Sequence, residues 1–293
     1  MNDMVTPLQL ADLLPRFLDS FSVEVVSNDA SSIAIAGKLL NPGTEVFIAN
    51  LPKHKAEKQI EAAVALRRSG LVPVPHIVAR NLASTAELAS LLRGLHQHAG
   101  VDCALVLGGD RDQPLGGFDD SLQLLETGLL EQHGIRKIYI AGYPEGHKRI
   151  SHERLVDALS GKLSAATDRG IAVTLVSQFC FDPKPIIGWT RALRAAQIHV
   201  PYRVGVAGPA SKAALVKFAL LCGVGPSLRA LKERDNIARN MLTAETPEAL
   251  LRDVVRAQNT HPELNITGAH FFTFGALAKT VEWITSIRAA ALA

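Results

Sequence analysis

The sequence predicts an α/β protein, a (β/α)8 TIM barrel forming one domain over residues 1–293, on three observations. Short runs rich in Val, Ile and Leu recur along the chain, and eight of them read as strands buried on both faces. Most are followed by an amphipathic helical stretch, with starts about 25–35 residues apart except before the last, the rhythm of a parallel barrel. Each run also stops abruptly at a polar or Gly-containing turn, and in parallel α/β folds that strand edge is where small molecules bind.

Residues 7–19 predict a short N-terminal helix that ends or breaks near Pro15. The first strand is FSVEVV (21–26), followed by a helical turn around 31–39 and a second strand over 44–50. A charged amphipathic helix over 53–69 closes at Gly70, and its basic start, KHKAEK, reads as a solvated first turn. LVPVPHIV (71–78) is the third strand, atypical because Pro73 and Pro75 cannot donate ladder hydrogen bonds. A helix over 84–99 follows Ser84 and closes at Gly100.

The second half repeats the pattern. Strands over 102–107, 136–141, 171–178 and 200–206 lead to helices over 119–133, 151–168, 184–197 and Ser211 to Leu221. An extended helical segment at 226–258, broken near Thr246–Pro247, precedes the last strand in 265–274 and a closing helix at 276–288.

Composition narrows the function classes. At 47% hydrophobic the chain can bury a sizeable core. Its net charge of +3 comes with no basic stripe interleaved with aromatics, which argues against nucleic acid as partner. Cys103, Cys180 and Cys222 form no CxxC, and a reducing compartment fits. The N-terminus has Asp3 and Asp12 and no basic start, so it does not read as an export signal. No apolar stretch reaches the ~18 residues of a membrane span, and the expectation is a cytoplasmic protein. Neither G-x-G-x-x-G after the first strand nor a phosphate-loop motif is present.

The polar residues at the strand ends are Glu24, Asn50, His76, Asp110, Tyr143, Glu145, His147, Gln178 and His270. Glu24 interrupts an apolar strand, so it either turns outward to a polar partner or serves as a buried general acid. Asp110 follows Gly108 and Gly109 and either caps a turn or approaches a ligand where the glycines give access. Gln178 has an amide suited to the donor–acceptor edge of a heterocycle, or to a loop backbone. No His, Cys or Asp spacing is zinc-like, and no Ser or Cys has a partnered His. Carboxylate, imidazole and amide without a nucleophile or metal suit proton handling around an organic cofactor or heterocycle.

Several of these residues carry a family resemblance. Ser22-Val23-Glu24-Val25-Val26, His76-Ile77-Val78, Gly108-Gly109-Asp110, Tyr143-Pro144-Glu145-Gly146-His147, Ser177-Gln178-Phe179-Cys180-Phe181-Asp182 and His270-Phe271-Phe272-Thr273 together resemble the methylenetetrahydrofolate reductases, over about 20–275. The resemblance implies a flavin-dependent barrel that reduces 5,10-methylenetetrahydrofolate with NADH or NADPH. It implies FAD contacts from His76, Gly109, Asp110, Ala141, Tyr143, His147 and Lys162, and catalytic roles for Glu24 and Asp110. Glu24, Asp110, Gln178 and Phe272 would bind the folate. Gly108 and Ala276 stand where the family has arginines, and Ser27-Asn28 replace two prolines. The departures leave open direct hydride transfer from NADH to folate without flavin, another pterin-dependent one-carbon reaction, or a non-enzymatic binding subunit. The reading as another pterin-dependent enzyme carries with it a functional link to a tetrahydrofolate-dependent methyltransferase or demethylase, and a homo-oligomer is compatible with such a barrel.

Overall fold

The computed structural model describes residues 13–52, 54–211, 213, 215–218 and 244–290. Eight parallel strands form a closed barrel: β1 (Phe21–Val26), β2 (Glu45–Ala49), β3 (Val72–Val78), β4 (Cys103–Leu107), β5 (Lys137–Gly142), β6 (Ala172–Ser177), β7 (Tyr202–Ala207) and β10 (Ile266–Phe272). Their order is β1-β10-β7-β6-β5-β4-β3-β2. Two residues each from Ala210–Ser211 (β8) and Ala244–Glu245 (β9) pair antiparallel, a ribbon too short for hydrophobic periodicity to reveal.

The helices are α1 (Leu13–Phe17), α2 (Ala30–Leu39), α3 (Ala56–Arg68), α4 (Thr85–Ala99), α5 (Ser121–Glu126), α6 (Leu129–Gln132), α7 (His152–Asp168), α8 (Pro183–Ala195), α9 (Glu248–Thr260) and α10 (Leu277–Ala289). Expected residues 7–12, most of the helix from Ser211 to Leu221, and 226–243 of the extended segment lie outside the described residues. The expected break near Thr246–Pro247 coincides with the start of α9. The single helix expected over 119–133 is two, because Gly128 takes φ 72, a left-handed conformation that ends one turn before the next begins. Among the described residues, no helix is long and apolar enough to cross a membrane.

The chain divides into two compact units, one of Ser22–Gly142 with Arg149–Val176, the other of Met1–Phe21, Tyr143–Lys148 and Ser177–Ala293. In the first, parallel register aligns Ser22 with Glu45 and Val72, and Glu24 with Phe47 and Val74. It also aligns His76 with Leu105 and Tyr139. Residues paired across parallel neighbours face the same way, and every second residue of a strand shares a face. One face therefore carries Phe47, Val74, Cys103, Leu105, Tyr139 and Val176, which pack into a single buried cluster. The opposite face carries Val46, Ile48, Ile77, Val106, Ile138 and Ile140, equally buried. Burial on both sides is why these strands read as continuous apolar runs.

The two prolines of β3 are accommodated by register. Val72 donates to the carbonyl of Thr44 at 2.9 Å, so the even-numbered residues turn their amides toward β2. Pro73 and Pro75 turn toward β4, and pairing with β4 begins only at His76↔Leu105, past both prolines.

In the second unit β7 and β10 pair from Ile266↔Tyr202 to Phe272↔Ala207, with a register shift between Ile266 and Gly268. Gly205 permits a close approach there: a Cβ at this position would lie 2.1 Å from the carbonyl oxygen of Ser177. Gly188, in the middle of α8, has open space around it. We predict that Gly205→Ala lowers stability by about 1–3 kcal/mol because backbone must shift, whereas Gly188→Ala raises it by about 0.5–1 kcal/mol. Urea denaturation checks both; equal effects would contradict the register described.

Candidate functional site

In the first unit Glu24 belongs to the inward face of β1, which settles its alternation: the side chain joins the layer of Phe47 and Val74. Its carboxylate oxygen Oε2 lies 3.4 Å from Nε2 of His76, with side-chain exposures of 22% and 9%. A carboxyl group so placed is costly unless paired, and the imidazole is a partner. The His76 ring stands edge-on to Phe47 at 6.2 Å, and Phe47 stands edge-on to Tyr139 at 4.7 Å. This geometry holds the imidazole between an aromatic wall and a carboxylate.

Sequence reading missed the residue behind this pair. Gln59, on α3, is fully buried, and its Nε2 donates to the carbonyls of His76 at 2.9 Å and Ile48 at 3.3 Å. The signal was present: Gln59 shares a helical stripe with Ala62, Ala63 and Leu66, which makes it the polar member of a buried face. A network at the opposite, N-terminal ends of the strands was also missed. Lys137 Nζ donates to Glu45 Oε1 at 3.0 Å and to the Tyr139 hydroxyl at 2.7 Å, and that hydroxyl donates to Glu45 Oε2 at 2.5 Å. At that end of a barrel such a network reads as stability rather than chemistry.

Gly109 follows β4 with φ 101, a conformation that requires glycine, and Asp110 then projects to solvent with its side chain 96% exposed. Asp110 is not a helix cap; Asp120 caps α5, with Gln123 completing a capping box. Arg149 lies 3.7 Å from the Asp110 carboxylate and 2.9 Å from that of Asp112. Beside Gly108 an added Cβ would come no closer than 4.0 Å to the Asp120 backbone. The neighbouring guanidinium groups are bonded to the protein: Arg80 to the carbonyls of Asp119 and Arg111, Arg111 to Asn81 Oδ1 and the Pro52 carbonyl. Ala141 is half-buried near the end of β5. Lys162, on α7, is half-buried, and desolvation holds its ammonium below the usual lysine range while Asp120 opposes that shift.

In the second unit Tyr143 begins a tight turn in which the Gly146 amide donates to the Tyr143 carbonyl at 2.9 Å, with φ 78 at Gly146. The turn brings the rings of Tyr143 and His147 edge-to-face at 5.3 Å. Gln178 is half-buried just past the end of β6. His270 is buried in β10 with its ring edge-on to Phe272 at 4.9 Å, and Phe272 packs on Phe179 at 5.5 Å. Asp182 caps α8 through the Lys184 amide, and Ala276 stands at the start of α10 without a side-chain cap.

Two thiols are set aside as nucleophiles. Burial, then Glu45 and Asp102, push Cys103 up to about 12, and burial followed by Glu145 and Asp182 pushes Cys180 well above the usual range. Among the described residues no group of His, Cys, Asp and Glu could hold a metal ion.

No family model matches the chain. Among solved structures, it resembles an uncharacterized protein from Clostridium thermocellum that binds two copies of 5-methyl-5,6,7,8-tetrahydrofolic acid, with a TM-score of 0.58 and 10% identity over 94% of this chain and 98% of that one. At this identity the likeness establishes the barrel fold. Dihydropteroate synthase from Thermus thermophilus aligns at TM-score 0.47 and 13% identity over 92% and 95% of the two chains. A putative lyase/mutase from Burkholderia cenocepacia aligns at TM-score 0.46 and 13% identity over 95% and 88%.

Lys162 gives a pH prediction. Its lowered folded-state value means the unfolded chain binds more protons between that value and the ordinary 10.5, so stability rises with pH through this window. Lys162→Met therefore stabilises the free protein at pH 7, and its advantage shrinks as pH rises toward 10. Thermal melts across this range check it; an advantage that grows with pH would contradict the burial described.

Proposed function

We propose that the chain is an oxidoreductase of one-carbon metabolism, related to the methylenetetrahydrofolate reductases, that reduces 5,10-methylenetetrahydrofolate to 5-methyltetrahydrofolate with NADH or NADPH. One observation carries this reading: an inward-facing carboxyl, Glu24, lies 3.4 Å from a nearly buried imidazole at the resembled acid position. The folate bound by the Clostridium thermocellum protein, which shares the fold, supports the substrate class.

The reaction needs a proton and an electron pair at different atoms. Glu24 supplies the proton to the folate nitrogen that leaves when the five-membered ring opens, giving an iminium at the one-carbon unit. A hydride, two electrons and one proton from the nicotinamide, converts that carbon to a methyl group, and NAD(P)+ is released. His76 holds the Glu24 carboxyl in place between proton transfers. Asp110, in the same unit as Glu24, offers a carboxylate.

FAD, when bound, supplies a carrier for the electron pair between nicotinamide and folate. The first unit fits it in part. Gly109 exposes backbone, Ala141 leaves room, His76 and Asp110 offer polar contacts, and Lys162 is a half-buried cation suited to a phosphate. A second reading is direct hydride transfer from NADH to the folate. It is favoured by Gly108 in place of an arginine and by the guanidinium groups of Arg80 and Arg111, both bonded to protein oxygens. The product is a methyl donor that a tetrahydrofolate-dependent methyltransferase would consume, and a demethylase that loads a one-carbon unit onto tetrahydrofolate would stand on the supply side.

The test is folate-dependent NAD(P)H oxidation, assayed with and without added FAD. Glu24→Gln is expected to lower turnover about 10²–10⁴-fold, and a rate that depends on added or co-purified flavin selects the FAD version. Absence of any folate-dependent oxidation, with Glu24→Gln indistinguishable from the parent, would sink the proposal.

A further inference from the structure

We propose that Gln59 is a positioning residue for the proton-handling pair, setting His76 against Glu24 from behind the strand. The inference rests on the reading of Glu24 and His76 as that pair. The geometry that carries it is the amide of Gln59, which bridges two carbonyls at the place where β2 and β3 cease to pair. Their register runs to Ile48↔Pro75, and Gln59 Nε2 donates to Ile48 O and to His76 O, one residue beyond.

Two carbonyl partners fix the orientation of the amide, since only its NH2 group can donate. The bridge therefore acts as one more rung at the strand end, supplied by a helix rather than by a strand. Small residues make it reachable. Ala62 and Ala63 lie on the same buried stripe, so α3 approaches β2 and β3 closely enough for a side chain to reach both backbones.

The consequence falls on the imidazole. The β3 backbone at His76 is held by Gln59, while its ring is bounded by Phe47 from β2 and meets Glu24 from β1. Leu105 is its register partner on β4. At 3.4 Å the contact between Nε2 and the carboxylate is already near the limit of a hydrogen bond. A backbone shift of a few tenths of an ångström would break it or shorten it, so the bridge decides the coupling. An amide that merely filled space between helix and barrel would have no such effect on the ring.

The test reads the imidazole directly, without substrate. Protein labelled with 15N-histidine is compared at pH 7 as parent, Gln59→Met and Glu24→Gln, with His76→Asn assigning the signal. Gln59→Met keeps the volume and removes the donors. We expect it to move the His76 ring signal in the direction in which Glu24→Gln moves it. Turnover should fall about 10-fold or more with little change in folate KM. If Gln59→Met does not fold, Gln59→Glu, which sets a carboxylate oxygen against the two carbonyls, is expected to move the same signal. A His76 signal at the parental position in a folded variant overturns the inference. A signal that moves in a protein with no folate-dependent activity upholds the positioning role and discards the reductase reading.

Discussion

The structure of the first unit depends on strand alternation locked by parallel register. Glu24 pairs with Phe47 on β2, which pairs in turn with Val74 on β3, and Phe47 and Val74 belong to the buried inner cluster. A slip of one residue would turn Glu24 into the outer layer of Val46 and Ile48 and put Val23 or Val25 inside. The large apolar side chains on both faces make that slip expensive. The position of one carboxyl is thus set by the burial of many methyl groups, each contributing about 0.8 kcal/mol per CH2.

Polar groups inside such a core survive only where they are paired, and the first unit arranges two sets along its strands. Toward the N-terminal ends, Glu45, Lys137 and Tyr139 bond one another within a single network. Further along, Glu24 meets His76. Phe47 and Tyr139 lie between, ring against ring. The first set has its donors and acceptors matched and leaves little for a ligand to change. The second meets at the long end of hydrogen-bond distance, with the Glu24 side chain still 22% exposed. The tighter network thus lies at the strand starts and the looser pair nearer the C-terminal ends, the rim where parallel barrels bind small molecules.

The fold was legible because burial on both faces writes itself as apolar runs, and all eight barrel strands coincide with such runs. What depended on tertiary context was less visible. The break at Gly128 needs a left-handed residue that local periodicity does not reveal. The two-residue pairing of β8 with β9 has too few residues for a pattern. Pro73 and Pro75 made the third strand atypical, and the register explains which neighbour they face. At the site, Glu24 stood out as a charge in an apolar strand. Gln59 did not, because a glutamine among lysines and glutamates looks solvated until its stripe is recognised as the buried one. Asp110 stood out through its glycines, yet its side chain faces solvent beside Arg149, a partner on a different loop.

The central claim is that the Glu24–His76 pair is where a folate is held and protonated. A crystal structure with 5-methyltetrahydrofolate bound addresses it most directly. The pterin is expected at the C-terminal strand ends, with a ring or bridge nitrogen within hydrogen-bond reach of Glu24. A folate bound away from Glu24 and His76, or a protein that takes up none, would contradict it.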